Sequence, residues 1–500
     1  MGLKWGGIWV WLSIALILVI QLSLIAFWVE PYPNWGDDLS YILFFDIRIS
    51  DVFSSISSYI LPFHGGIHAN LCLKIYVILT GLFASKFHFT ALILVANALL
   101  LPILYCFIQY ARLTGKSSMH FVGISLLLLS LKGQVDNFSL VGVMQHGFTI
   151  LMIVWIAYVM TIQKRYVVGV LLANASLLLI STESLGLLFF SNLLIAIYKH
   201  RYRYYLWVLS VLCIVLYYSG IQLSSEILGM KDGGIHVNMG IFPAVFIFLG
   251  AIISRVSVAF LLGVICFLGI AYPVLRSIKT VFKKGNERML FLPMIFFSMA
   301  AIGFLIHLGR GVDDAGQVVF GVLLAHRFSF YHVIPLVLIY LSILEIKPDL
   351  SRRLQGFMVL GALGFYGLNI RTQMPLVEAD QRRILCDAYV MKTQQTCLSY
   401  PMDSLNAKHL VEKKWYVWPD FSKISALRKQ SPVLYTRKEE GEISQLRCLT
   451  SEDSPYFALL ANGKKYVISG ISVPGNAYQI DLNRKQLAEL GSFQVVQLTR

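Results

Sequence analysis

Two adjacent carboxylates, Asp37 and Asp38, stand in the run Trp35-Gly36-Asp37-Asp38-Leu39-Ser40-Tyr41. Paired carboxylates flanked by aromatic and apolar residues can serve as a general base or hold a divalent cation. The competing reading is a helix cap, since Asp ahead of an apolar helical pattern satisfies first-turn N–H groups. Downstream lies Pro62-Phe63-His64-Gly65-Gly66-Ile67-His68-Ala69-Asn70. Histidines four apart could ligate a metal from one helix face. Gly65-Gly66 opposes a helix there, so His64 and His68 read instead as polar lining of a cavity. Lys74 follows, inside the apolar stretch 70–84.

Two further clusters complete the polar inventory. Asp136 and Asn137, with Gln145 and His146 after them, offer carboxylate and amide groups suited to sugar hydroxyls. The same groups also commonly satisfy loop backbone. His307, Arg310, Asp313 and Asp314 precede Ala325-His326-Arg327-Phe328-Ser329-Phe330-Tyr331-His332. A guanidinium is a planar fork matched to phosphate. Arg310 and Arg327 could equally pair with Asp313 or Asp314, or snorkel to lipid headgroups. Glu183, in Ser181-Thr182-Glu183-Ser184, reads as structural. The sequence has no CxxC, no HExxH, no GxGxxG after a strand and no Walker loop. Neither a metal nor a nucleotide cofactor is therefore expected.

The elements that carry these clusters follow from composition. Of 500 residues, 57% are apolar and 14% charged, and mean hydropathy is +0.68. Soluble domains carry roughly 25% charged residues. Cytosolic enzyme, disordered chain and fibrous repeat are excluded, and a polytopic α-helical membrane protein is expected. The net charge of +15 comes from basic residues scattered between apolar runs. That pattern orients loops toward the cytoplasm and argues against nucleic acid. Eleven runs have spanning character: 8–28, resembling an uncleaved signal anchor, then about 89–111, 118–131, 147–163, 166–181, 184–198, 205–222, 257–277, 289–307, 329–346 and 354–370. The short stretch 70–84 reads as an interfacial helix and 240–254 as a re-entrant segment. With the N-terminus inside, Arg112, Lys116, Lys164, Arg165, Arg201, Arg203, Arg276 and Arg288 all fall in cytoplasmic loops. The four polar clusters then share the opposite side. Residues 371–500 differ in composition and read as a small extracytoplasmic α+β domain, with strands at 465–471 and 492–498. Cys386 and Cys397, the nearest pair in that tail, are expected to form a disulfide.

The order of these pieces resembles a known family. One span is followed by an acidic pair, a histidine-bearing segment, an interfacial helix ending in Gly81-Leu82-Phe83 and a span opening with Phe87-His88-Phe89. This is similar to the start of GT-C fold glycosyltransferases, integral enzymes that use a polyprenyl-phosphate-linked sugar. Gln134-x-Asp136-Asn137…Gln145 and Gly309-Arg310…His326-Arg327-Phe328 resemble bacterial members, in kind the serotype-converting glucosyltransferases that decorate O-antigen. The resemblance covers about residues 1–370 as a GT-C-like transmembrane domain and leaves out 371–500. It implies an inverting transfer on the periplasmic face of the inner membrane, with no cofactor. Asp37 or Asp38 would be the catalytic base. His64, His68, Lys74, Asp136, Asn137, Gln145, Arg310 and Arg327 would bind substrate. Many relatives carry an arginine near 67–73, where this chain offers only Lys74. The implied partners are the lipid-linked sugar donor, a lipid-linked glycan acceptor and membrane lipids.

Two other functions fit the same composition. An O-antigen polymerase or ligase also has many spans and outer arginines, but typically a large outer loop in mid-chain. A transporter or lipid-carrier flippase places polar residues near mid-span on broken helices. The spans here are nearly free of charge.

Overall fold

The computed structural model describes residues 5–28, 71–83, 89–130, 144–180, 182–198, 200–228, 240–253, 255–284, 287–310, 318, 320–324, 329–346, 352–394, 396, 398, 418–440, 443–450, 454–475 and 477–499. The first part is helical: α1 Trp5–Trp28, α2 Leu71–Phe83, α3 Phe89–Ala98, α4 Leu100–Leu113, α5 Met119–Leu128, α6 Met144–Thr161, α7 Tyr166–Leu179, α8 Leu185–Ile197, α9 Arg203–Leu228 and α10 Ile241–Leu249. There follow α11 Val256–Lys284, α12 Phe291–Arg310, α13 Ser329–His332, α14 Ile334–Ile346 and α15 Arg352–Gln394. A single 3₁₀ turn, Thr182–Ser184, joins α7 to α8.

Among the described residues, five stretches are long and apolar enough to cross a membrane: Ile93–Leu113, Met144–Thr161, Arg203–Gly220, Val256–Arg276 and Glu287–Leu308. The other expected spans also fall on helices, but α5, α7, α8 and α14 have only 10 to 14 residues. At 1.5 Å per residue such helices reach about 15–21 Å, against roughly 30 Å of hydrocarbon. The first of the five stretches is interrupted at Leu99, where α4 begins with Pro102 near its start; proline is tolerated in the first turn because its missing N–H has no partner there. The 240–254 segment is a nine-residue helix, α10, buried against α11 and α12.

Side-chain burial divides the helices by neighbour. On α6 nearly every residue is covered, by α4, α7 and α12 among others. On α9 and α11 large apolar side chains such as Val208, Val211, Leu261, Ile265 and Leu268 stand exposed. Apolar area of that extent is what lipid tails cover, and it is uncommon on a soluble surface.

The C-terminal part is a small strand domain. It contains α16 Ser422–Ser425, β1 Lys429–Pro432, β2 Leu434–Glu440, β3 Ile443–Leu449, β4 Tyr456–Ala461, β5 Lys464–Ser469, β6 Ile471–Val473, β7 Ala477–Asn483, α17 Arg484–Leu490 and β8 Gln494–Thr499. Two antiparallel sheets form, ordered β1-β8-β4-β5 and β2-β3-β7-β6. Period-two alternation assigns their faces. Leu446, Phe457, Leu459, Ile468, Ile480 and Val495 fill the space between the sheets. Ala458, Val467, Val496 and Leu498 point the other way, onto Leu385, Cys386, Ile424 and Leu427 of α15 and the segment around α16. Asn462-Gly463 closes the β4–β5 hairpin with φ of 50° and 73°, the left-handed pair that a two-residue turn requires.

Three expectations change in detail. The strand expected at 465–471 is two strands in different sheets, β5 and β6, parted at Gly470. A Cβ on Gly470 would stand 2.9 Å from the Cβ of Tyr478, so only glycine lets the chain pass there. The helix that holds 354–370 runs on without a break to Gln394 and docks on β5. Cys386 is a free, buried thiol, which removes the expected bridge; its helix turns it onto the sheet. Cys397 lies outside the described residues.

Candidate functional site

One group of buried polar side chains in the helical part lies where three chain segments meet. The first turn of α6 contributes Gln145 and His146. The 3₁₀ turn contributes Glu183. The short helix α13 contributes Tyr331 and His332. Helix α6 touches both the turn and α13, and α12 touches the turn. Ser176 of α7 and Ser184 share a hydrogen bond of 2.8 Å that fixes the turn.

At the centre is a three-residue hydrogen-bond cluster. Nδ1 of His146 lies 3.3 Å from Glu183 Oε2 and 3.2 Å from Tyr331 Oη. Tyr331 Oη donates to the same Glu183 oxygen. His146 is 5% exposed, Glu183 4% and Tyr331 0%. A carboxylate so deeply placed is costly unless partnered, and here it accepts two bonds at one oxygen. Removing one member of such a buried charged cluster typically costs about 3–5 kcal/mol.

Aromatic rings wall the cluster. Phe248 of α10 stands 5.8 Å from the Tyr331 ring and 5.7 Å from the His332 ring. His307, one turn from the end of α12, stacks on Phe320 at 5.6 Å. His307 and His332 are both buried. Imidazole, phenol and amide groups in this arrangement can donate to and accept from hydroxyls. Among the described residues no three His, Cys, Asp or Glu side chains are grouped to hold a metal ion.

The expected site residues distribute as follows. Gln145 is buried in the first turn of α6, beside the cluster. Lys74 is 2% exposed on α2, which packs on α6. Arg310 is the last residue of α12. Asp37, Asp38, His64, His68, Asp136, Asn137 and Arg327 lie outside the described residues. The structure thus joins parts of two clusters that are separate in sequence, those around 145–146 and 307–332. It adds Glu183, which reads as structural from sequence, and Tyr331. The signal for Glu183 is its setting: one carboxylate between two apolar runs, with no basic residue near it in sequence.

Comparison with known proteins gives no match: no family model, no curated protein and no solved structure matches this chain.

Proposed function

We propose that the chain is an integral-membrane glycosyltransferase that moves a sugar, glucose by resemblance, from a polyprenyl-phosphate carrier to O-antigen or another surface glycan on the periplasmic face of the bacterial inner membrane. One observation carries the reading. Polar side chains distant in sequence, at 145–146, 183 and 331–332, meet in one buried cluster of the helical part. They adjoin in sequence the segments that carry Asp136, Asn137 and Arg327. The mid-portions of the five long apolar stretches contain no Asp, Glu, Lys or Arg. A transporter would need polar groups at that depth, whereas chemistry at the membrane surface needs them at one end.

In this reading a carboxylate of the first outer loop, Asp37 or Asp38, takes the proton of the acceptor hydroxyl. The oxygen attacks the anomeric carbon as the carbon–oxygen bond to phosphate breaks, inverting the centre. Cations near the phosphate, Arg310, Arg327 and Lys74, stabilise the charge that develops on the leaving group. His64, His68, Asp136, Asn137 and Gln145 hold sugar and acceptor through their hydroxyls.

The test is glycan mass analysis of cells with and without the gene. A gain of one hexose per repeat unit is expected. Asp37→Asn or Asp38→Asn should abolish that gain while the protein remains inserted and abundant. Loss of a general base typically costs about 10²–10⁴ in rate, whereas a helix cap tolerates Asn as well as Asp. Wild-type glycan modification by both variants would remove the base from this loop. No mass gain with the wild-type gene would remove the function.

A further inference from the structure

Helix α9 presents an apolar wall that ends in a cationic, aromatic corner. Val208, Val211, Leu212, Val215 and Leu216 are exposed, whereas Leu206, Ser210, Cys213 and Tyr217, on the opposite face, are buried. The stretch Arg203–Gly220 has the length and hydropathy of a membrane span. Its 18 residues extend about 27 Å, so hydrocarbon that covers the apolar wall ends near Arg203. There His200-Arg201-Tyr202-Arg203-Tyr204-Tyr205-Leu206-Trp207 turns the chain from α8 into α9. The guanidinium of Arg201 lies 4.5 Å from the centre of the Tyr202 ring, and that of Arg203 lies 4.7 Å from Tyr204. Nη2 of Arg203 also donates to Tyr204 Oη at 2.8 Å. Trp207 donates from Nε1 to the Asn192 carbonyl of α8 at 3.4 Å, and its ring meets Tyr204 edge-on. Tyr205 beside them is 76% exposed. His200 stands 6.1 Å from the ring of Tyr166, which brings Arg165, at the start of α7, to the same corner.

We propose that this corner binds the phosphate of an acidic phospholipid at the edge of the bilayer, with Arg201 and Arg203 as the contacting cations. Three features carry the proposal. Stacking on a ring occupies the face of a guanidinium and leaves its N–H edge, the part that matches a phosphate, turned outward. Charge is uncompensated: among the described residues no carboxylate pairs with Arg165, Arg201 or Arg203, and the nearby acid Glu287 lies 3.5 Å from Lys164. Between residues 164 and 225 the one acid is Glu183, at the far ends of α7 and α8. A zwitterionic headgroup brings its own ammonium to offset its phosphate, so such a corner favours a headgroup of net negative charge. Depth is the third feature. Tyr205 and Trp207 join the apolar wall to the arginines, and tyrosine and tryptophan settle where hydrocarbon gives way to headgroups. The proposal rests on the membrane-embedded helical part and not on the glycosyltransferase reading, so either can fail without the other.

The experiment uses the full-length protein in phosphatidylcholine vesicles doped with dibrominated phosphatidylglycerol or dibrominated phosphatidylcholine. Bromine quenches nearby indole, and the Trp207 signal is the difference between the wild-type protein and Trp207→Phe. Brominated phosphatidylglycerol should reach half-quenching at a mole fraction about fivefold or more below that of brominated phosphatidylcholine, since each basic residue near a headgroup is worth about fivefold. The double variant Arg201→Gln/Arg203→Gln should bring the two curves together. If it does not accumulate, Arg201→Gln alone, at an exposed turn, should narrow the gap severalfold. Tyr202→Leu/Tyr204→Leu keeps the charge and removes the stacks, and should also narrow the gap. A gap left whole by the tyrosine variant means diffuse attraction to charge and overturns the site. Inorganic phosphate, added against sodium chloride of equal ionic strength, should leave the gap unchanged; its closure would make the ligand free phosphate and overturn the lipid. Coincident curves for the wild-type protein, or an undiminished gap in the arginine variants, overturn the proposal outright.

Discussion

Burial raises the thiol of Cys448 to about 12 and pushes Cys386 upward as well. Both side chains lie under the sheets of the strand domain. The thiolate is the reactive form, and at pH 8 almost none is present at either position. We expect iodoacetamide at pH 8 to leave both unmodified in the folded protein, with or without reductant, and to modify both in denaturant. Peptide mass spectrometry reads the outcome. Labelling of Cys386 that appears only after reduction would restore a disulfide; ready labelling of Cys448 in the native protein would contradict its burial. Proximity in sequence suggests a bridge between Cys386 and Cys397, but a helix that continues to Gln394 decides where the first side chain points. The candidate site is legible to a similar degree. Gln145 and Arg310 are visible as polar residues at the ends of apolar runs. The pairing of His146 with Glu183 and Tyr331 is not, because 37 and 185 residues separate the partners and no spacing rule links them.

Most apolar runs coincide with helices, although 89–111 and 329–346 are each divided in two and the helix over 354–370 runs on to Gln394. Close approach between helices leaves a fainter mark, a glycine, and here it governs the crossing of α10 and α11. A Cβ on Gly263 would stand 1.7 Å from the carbonyl oxygen of Phe246, and one on Gly250 would stand 1.9 Å from that of Ala259. Those are backbone atoms, so no side-chain rotation relieves the overlap. Small residues that admit a neighbouring backbone are a general device of membrane helix packing. Gly269, further along α11, has room for a Cβ, which would meet no neighbouring group within 4 Å. The two glycines therefore predict opposite responses to one change. Gly263→Ala should destabilise by about 1–3 kcal/mol or more through overpacking. Gly269→Ala should be neutral or stabilise by about 0.5–1 kcal/mol through helix propensity. Thermal melting of detergent-purified variants by size-exclusion chromatography compares them, and an equal response in both would contradict the close crossing. Phe248 on α10 walls Tyr331 and His332, so displacement of this helix should also disturb the candidate site.

Helix α15 ties the apolar helical part to the strand domain. Its 43 residues extend about 65 Å at 1.5 Å per residue, twice the roughly 30 Å of bilayer hydrocarbon. The first portion carries exposed apolar residues such as Phe357, Leu360 and Leu363. Beyond 370 the character changes: Arg382 pairs with Glu378 at 3.8 Å, and Arg383 with Asp380 at 2.6 Å and Asp387 at 3.2 Å. Those pairs belong outside hydrocarbon, and Leu385 and Cys386 beside them dock on the sheets. The change of composition at 370 is readable in the sequence; that one helix carries both compositions is not, since local pattern marks the solvent and not the continuity of the backbone. Loop charge supports a proposal for the side of the membrane reached by this arm. In the proposed topology, a cytoplasmic N-terminus and eleven crossings would put Arg112, Lys116, Lys164, Arg165, Arg201, Arg203, Arg276 and Arg288 on the inner side, in keeping with the positive-inside bias. That odd number of crossings would deliver the strand domain to the periplasm, the side on which, under the proposed function, the polar cluster at 145–146, 183 and 331–332 would meet a lipid-borne sugar. A phosphatase fused after Arg500 should accordingly be active, and a reporter that matures only in the cytoplasm should be dark there. The same two reporters inserted after Arg288 should give the opposite pattern. An active cytoplasmic reporter at Arg500 would mean an even number of crossings, with 70–84 or 240–254 as the first candidate for an additional full span, and would place the strand domain on the side away from the glycan.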